Sequence, residues 1–149
     1  MSKFINDIKV NDILWSISTG EKPQLIPLII IDINIKKMIW ITYYNLTIKM
    51  PDGSNMYLSL TDVGKNQDYD IPFMKDLWDS LKYSYESQQD RITIMGCFNK
   101  DKLWKHYING LENNMKSIKE VIERGEQNLK ELNNKLEYIK KQYDNIQEG

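Results

Sequence analysis

The last third of the chain carries the feature that most restricts its fold. From Ile108 to Ile146, apolar residues recur at alternating intervals of four and three, with Gly125 as the one exception. This is a heptad repeat, which lines up one apolar stripe along one side of an α-helix. Its a positions are Ile108, Met115, Ile122, Leu129, Leu136 and Tyr143, and its d positions are Leu111, Ile118, Gly125, Leu132, Ile139 and Ile146. We call the eleven apolar members of this set the seam.

A helix from Trp104 to Ile146, which carries the whole seam, would be about 65 Å long at 1.5 Å per residue, and this exceeds the width of a domain of this size. Part of the seam therefore needs another surface to cover it. We expect self-association or a partner helix. In a parallel homodimer each g residue faces an e residue of the partner, so Lys135 would meet Lys140, and no complementary ion pair supports that arrangement. An antiparallel pair, a higher-order bundle and a different partner helix stay open.

Two other arrangements of the seam are consistent with the sequence. Glycine costs roughly 1 kcal/mol in a helix interior, so residues 124–126 are a candidate hinge, and a helical hairpin folded there would hide the seam within one chain. Alternatively, the first heptads pack on the rest of the chain and the end is a solvated helix. A seam this regular favours self-association over the solvated helix.

Residues 12–63 show the alternation of a half-buried β-sheet. We expect three apolar faces, on strands over 13–17, 24–34 and 38–50, with a bend near Tyr44 and Asn45 because the third strand is long. The turn at 51–54 and the alternation of Met56, Leu58 and Leu60 predict a hairpin. The expected inward residues of the first three strands are Ile13, Trp15 and Ile17; Leu25, Ile29, Ile31 and Ile33; and Met38, Trp40, Tyr44, Leu46, Ile48 and Met50.

Short antiparallel strands within about fifty residues predict a strongly bent sheet or an SH3-like barrel, because a small flat sheet cannot cover its own apolar face. From residue 71 the period changes to a helical one. We expect an amphipathic helix over about 71–88, capped by Asp70, then a short strand over 91–98 and Asn99 as cap of the long helix. The helix would bury Met74, Leu77, Trp78, Leu81 and Tyr85. The predicted class is α+β, with a β-rich domain over 1–98 and a coiled-coil helix over 99–149.

The charge balance, the cysteine count and the length of the apolar runs argue against several classes of partner and location. Twenty Lys and Arg against 21 Asp and Glu give a net charge of −1, which offers no field to attract nucleic acid. The single cysteine excludes an internal disulfide and indicates no oxidising compartment. The longest apolar run is far shorter than the roughly 20 residues of a membrane span, and the start does not resemble a signal peptide. We expect no membrane association and a cytoplasmic location.

Residues with catalytic or metal-binding chemistry are few. His106 falls at the outward f position of the heptad, and Cys97 lies in a predicted strand where a buried, inert thiol is expected. The acidic segment 66–70 lacks the glycine and glutamate of a calcium loop, and no glycine-rich phosphate loop occurs. We predict no catalytic residue, no metal, no cofactor and no enzyme activity.

Aromatic residues offer one possible binding face on the β-domain. Trp15, Trp40 and Tyr44 follow the apolar alternation and are expected in the core. Tyr43 and Tyr57 have the opposite parity and would face outward, with Lys49 on the face of Tyr43, as a surface for a peptide or for stacked bases. Simple cross-strand tyrosine pairing explains the same pattern.

Together these patterns predict a non-catalytic interaction or assembly protein, with a β-domain that docks another protein and a helix that oligomerises. The chain has no alanine and is rich in Ile, Asn, Lys and Tyr, which indicates an AT-rich genome. A phage-encoded structural or host-interaction protein, located in the virion, fits that bias. The alternative is a nucleic-acid-binding or regulatory module that uses the exposed tyrosines.

Overall fold

The computed structural model describes residues 1–64, 66–80 and 91–148. The chain divides into two units, Met1–Tyr107 and Ile108–Gly149. Within the described residues the first unit holds a closed antiparallel barrel whose strands follow one another in chain order, and the last strand pairs with the first. The strands are β1 (Ile13–Ile17), β2 (Leu25–Lys37), β3 (Thr42–Lys49), β4 (Asn55–Thr61), β5 (Phe73–Trp78) and β6 (Arg91–Cys97). The predicted α+β class with a strongly bent sheet or barrel is confirmed.

The hairpin of β3 and β4 forms as predicted. Leu46 and Ile48 on β3 are buried, as are the alternating Met56, Leu58 and Leu60 on β4. Gly53 takes a φ of +89° in the connecting turn, a conformation that side-chain-bearing residues rarely adopt. The Asp52 carboxylate closes the turn by accepting hydrogen bonds from the Ser54 N–H at 2.9 Å and the Ser54 hydroxyl at 2.6 Å.

The face predicted for β1 is wrong. Leu14 is fully buried in the barrel interior, whereas Ile13 is 38% exposed. Trp15 and Ile17 lie on the other face, where they pack in a second cluster with Cys97 and Leu103. Because both faces of β1 are covered, both carry apolar residues, and alternation does not distinguish inside from outside.

The face predicted for β2 is wrong over its first half and correct over its second. Pairing with β3 shifts between Ile30 and Asp32, and such a bulge reverses which residues face inward. Leu28 and Ile30 are buried before it, and Ile33 packs against the core after it. Leu25 packs in the second cluster, and Ile29 and Ile31 are exposed. The irregularity therefore lies in β2, and β3 is regular near Tyr44 and Asn45.

The third strand begins at Thr42, four residues later than predicted. Met38 and Trp40 lie in the turn between β2 and β3 instead of on a strand. Trp40, expected in the core, is 91% exposed. Tyr44, the other aromatic of that predicted face, packs against the core as expected.

The helix predicted over about 71–88 is wrong over its first part, which forms β5. Phe73 and Leu77 are buried, and all six residues of β5 pair with β6. Met74, expected on the buried face of that helix, is 57% exposed, because successive residues of a strand point to opposite faces and Met74 lies opposite to Phe73 and Leu77. Asp70 caps no helix there; its carboxylate forms an ion pair with Lys102 at 2.7 Å. Leu81 and Tyr85, also assigned to that helix, lie outside the described residues.

Helix α1 (Lys100–Glu148) follows β6. The Asn99 side chain accepts hydrogen bonds from the backbone N–H groups of Asp101 at 3.1 Å and Lys102 at 3.2 Å, which confirms the predicted cap. Leu103 in the first turn is fully buried in the second cluster. The helix continues through Gly125 without a break, so the hinge and the helical hairpin are not formed.

We expect Asn99→Ala to lower the free energy of unfolding of the barrel by about 1 kcal/mol, because two N–H groups of the first turn lose their acceptor. Urea unfolding followed by tryptophan fluorescence measures this loss. Asn99→Asp retains the acceptor and is the control. Equal stability of Asn99→Ala and the parent protein would show that the cap contributes nothing.

Candidate functional site

The outward face of β2, β3 and β4 carries polar and aromatic side chains in cross-strand rows. Because Leu46, Leu58 and Leu60 point into the barrel, their strand neighbours point outward. In the registered pairs, Tyr43 lies between Lys36 and Thr61, and Asn45 lies between Asn34 and Ser59. Tyr57 lies between Thr47 and Trp78. The alternation that builds the core therefore also builds this surface.

These rows enclose a depression of about 760 Å³ on the barrel, which we call the outer groove. Its lining is Asn34, Lys36, Met38, Tyr43, Asn45, Tyr57, Ser59, Trp78 and Ser80. The Ser59 hydroxyl donates to the Asn45 side-chain oxygen at 2.9 Å, which fixes the floor. Three aromatic rings beside amide and hydroxyl groups can stack on a flat group and hydrogen-bond to its edges.

The structure brings together two of the three residues predicted as a binding face. Tyr43 and Tyr57 both line the outer groove, whereas Lys49 pairs with Ile29 and Asn55 and does not line it. Lys49 lies six positions beyond Tyr43 along β3, which is roughly 20 Å at 3.3 Å per residue. Trp78 is the third aromatic residue of the groove, and sequence reasoning missed it because it was assigned to a helix.

The turn between β2 and β3 exposes an apolar tip, defined as Met38, Ile39 and Trp40. Ile39 and Trp40 are 90% and 91% exposed, and Met38 also borders the outer groove. The Met38 N–H donates to the Ile41 carbonyl at 2.9 Å, which closes the turn. Large apolar side chains at this exposure are unfavourable in water unless something binds them, so the apolar tip is a candidate contact for a partner.

Cys97 and His106 do not form a catalytic pair in this structure. Cys97 is fully buried, and its Sγ lies 3.8 Å from the Tyr69 carbonyl oxygen and 3.4 Å from the Asn99 nitrogen. Burial raises the pKa of the thiol, which keeps it protonated and a poor nucleophile. His106 is exposed. Among residues 1–64, 66–80 and 91–148, no group of three His, Cys, Asp or Glu side chains is placed to hold a metal ion.

The acidic segment 66–70 has a structural role. The Asp68 carboxylate accepts hydrogen bonds from the Lys3 N–H at 2.8 Å and from the Asp70 N–H at 2.9 Å. These two hydrogen bonds favour the charged form and lower the pKa of Asp68. The segment therefore ties the N-terminus to the barrel.

The seam is an exposed apolar stripe along the helix of the second unit. Its eleven residues are between 39% and 76% exposed, from Ile108 to Ile146. An isolated helix with this stripe leaves apolar area in water that a second helix would remove.

Comparison with protein-family models, curated proteins and solved structures finds no match for this chain. Within the described residues, no helix has both the length and the apolar character needed to cross a bilayer.

Proposed function

We propose that this protein is a non-catalytic assembly protein that self-associates through the seam of α1. The observation that supports this proposal is the exposure of all eleven seam residues along one face of an unbroken helix. Apolar a and d positions sustained over more than three or four heptads are typical of helices that pair. The seam spans six heptads.

The energetics favour association. Full burial of one large aliphatic side chain contributes about 1.5–3 kcal/mol. Association costs about 4–15 kcal/mol in lost translational and rotational freedom. Eleven seam side chains on each copy are enough to exceed that cost, even when each is only partly covered.

The barrel would then dock another protein. The outer groove supplies three aromatic rings with amide and hydroxyl partners, and the apolar tip at its border supplies Ile39 and Trp40. Aromatic anchors surrounded by polar groups are the residues that dominate protein interfaces. A protein that is assembled through α1 would present several copies of this surface, which raises its avidity for a multivalent partner.

Sedimentation equilibrium of the full chain over a wide concentration range tests the proposal. We expect a mass that rises from 17.7 kDa toward a multiple of that value as concentration increases. Circular dichroism on the same samples reports whether α1 remains helical. A mass of 17.7 kDa at every concentration, with the helix intact, contradicts self-association.

A second candidate function, binding of single-stranded nucleic acid, is supported by the rings of Tyr43, Tyr57 and Trp78 in one groove. Lys36 is the charged residue in the described lining, which is a weak electrostatic footprint for a polyanion. Fluorescence titration with a single-stranded oligonucleotide at low and high salt distinguishes nucleic-acid binding from the docking of another protein. Binding that weakens steeply with salt supports this candidate, and absence of binding at low salt removes it.

A further inference from the structure

We propose that the seam is covered by the α1 helix of a second copy that runs antiparallel, with Ile108 opposite Ile146 of that copy. This inference rests on the proposed self-association and adds its orientation and register. In this arrangement the twofold axis lies between the two helices at the level of residue 127, and the two seams overlap over their whole length. Packing of the seam and the charges beside it both favour this arrangement.

Full overlap gives each seam residue an apolar neighbour or a glycine. In an antiparallel pair each a residue packs in a layer with a d residue of the other copy. Ile108 meets Ile146, Met115 meets Ile139, and Ile122 meets Leu132, with the three remaining a residues meeting Gly125, Ile118 and Leu111 in turn. Each of these layers occurs twice because of the symmetry.

Gly125 favours the antiparallel orientation. Gly125 has no side chain, so the seam lacks one at this layer, and no other part of the described chain lies within 4 Å of where its Cβ would be. In the proposed register the second copy's Leu129 faces that space and fills it. In a parallel pair the two Gly125 residues would face each other and leave a void, which forfeits the contacts of both.

The flanking charges favour the same orientation. The e positions of the two helices face each other in an antiparallel pair, which places Glu112 beside Lys140 of the second copy, twice per dimer. A parallel pair instead places Lys135 beside Lys140. Residues at e and g set the partner and orientation of paired helices, so the opposite charges support the antiparallel arrangement.

The charges at the e positions and the number of seam residues that find a partner also favour the proposed register over a shift of one heptad. Sliding the helices by one heptad in one direction brings Lys119 beside the second copy's Lys140. Sliding by one heptad in the other direction leaves Tyr143 and Ile146 without a seam partner. The proposed register has one like-charge contact, between the two Glu126 side chains beside the twofold axis.

Charge exchange in the full chain tests the inference. Glu112→Lys and Lys140→Glu each replace two attractive contacts by two repulsive ones, and we expect each to raise the dimer dissociation constant about tenfold, given the modest energy of exposed pairs. The double exchange restores the opposite charges and is expected to restore the affinity. Glu126→Gln removes the repulsion at the axis and is expected to tighten the dimer. Sedimentation equilibrium at low salt measures all four.

Outward positions supply matched controls. Glu120→Lys and Lys141→Glu make the same charge changes at f positions, where no partner charge is faced, and are expected to leave the affinity unchanged. A parallel dimer predicts the opposite sign for Lys140→Glu, because that change would relieve the contact with Lys135, and no rescue by the double exchange. A dimer that is insensitive to these changes overturns the register alone. A monomeric parent chain overturns the proposed self-association as well.

Discussion

Leu14→Ala is expected to lower the free energy of unfolding by about 3 kcal/mol, within the range of about 2–5 kcal/mol for a leucine truncated in a packed core. Leu14 is fully buried in the barrel, and its Cδ1 lies 3.2 Å from the position of a Cβ on Gly96. The truncation leaves a cavity at the contact between β1 and β6, where the barrel closes. Urea unfolding monitored by tryptophan fluorescence gives the value.

Ile13→Ala is the matched control for this change. Ile13 is the immediate neighbour of Leu14 and is 38% exposed, so its truncation should cost less than about 1.5 kcal/mol. The pair reports which face of β1 points into the barrel. A larger loss for Ile13→Ala than for Leu14→Ala would mean that the face predicted from alternation is correct and that the fold of β1 described above is not.

Leu129→Asp combined with Leu132→Asp is expected to abolish self-association. The two changes remove four leucines from a dimer, and at about 1.5 kcal/mol each the lost burial is about 6 kcal/mol. At about 1.4 kcal/mol per tenfold change, the dissociation constant rises by about four orders of magnitude. Desolvation of the introduced carboxylates adds to this loss. Sedimentation equilibrium of the full chain should then give the monomer mass throughout.

Gln127→Asp combined with Asn134→Asp makes the same change in charge on the outward face of the same helix segment. Both positions are f positions, so the control also carries the poor helix propensity of aspartate without touching the seam. This variant should associate like the parent chain. Equal dissociation by both variants would assign the effect to charge or helix propensity and not to the seam.

The barrel could be predicted from the sequence where polar and apolar residues alternate clearly. On β3 and β4 each apolar residue alternates with a polar or outward one, so the buried face could be predicted from the alternation alone. Its residues include Leu46, Ile48, Leu58 and Leu60. β1 and the first half of β2 could not be oriented, because both of their faces carry apolar residues. The bulge after Ile30 added a reversal that leaves no local signal in the sequence.

The candidate site was partly predictable for the same reason. Tyr43 and Tyr57 have the opposite parity to the core residues beside them, and this placed both on the outer surface. Trp78 was missed because residue 78 belongs to a set of apolar residues at helical intervals, and this pattern assigned it to a helix. The apolar tip was missed because Met38 and Trp40 continue the alternation of β3, and alternation does not reveal where a strand ends and a turn begins.

The attachment of the first turn of α1 to the barrel has a consequence for how the seam becomes available. Helix nucleation is the unfavourable step of helix formation, since several residues are ordered before the first hydrogen bond forms. The Asn99 cap and the burial of Leu103 beside Ile17 and Cys97 supply that nucleus as part of barrel folding. Elongation then adds one hydrogen bond for each further residue. A second helix would therefore meet a preformed surface, and association would not bear the entropy of nucleating the helix.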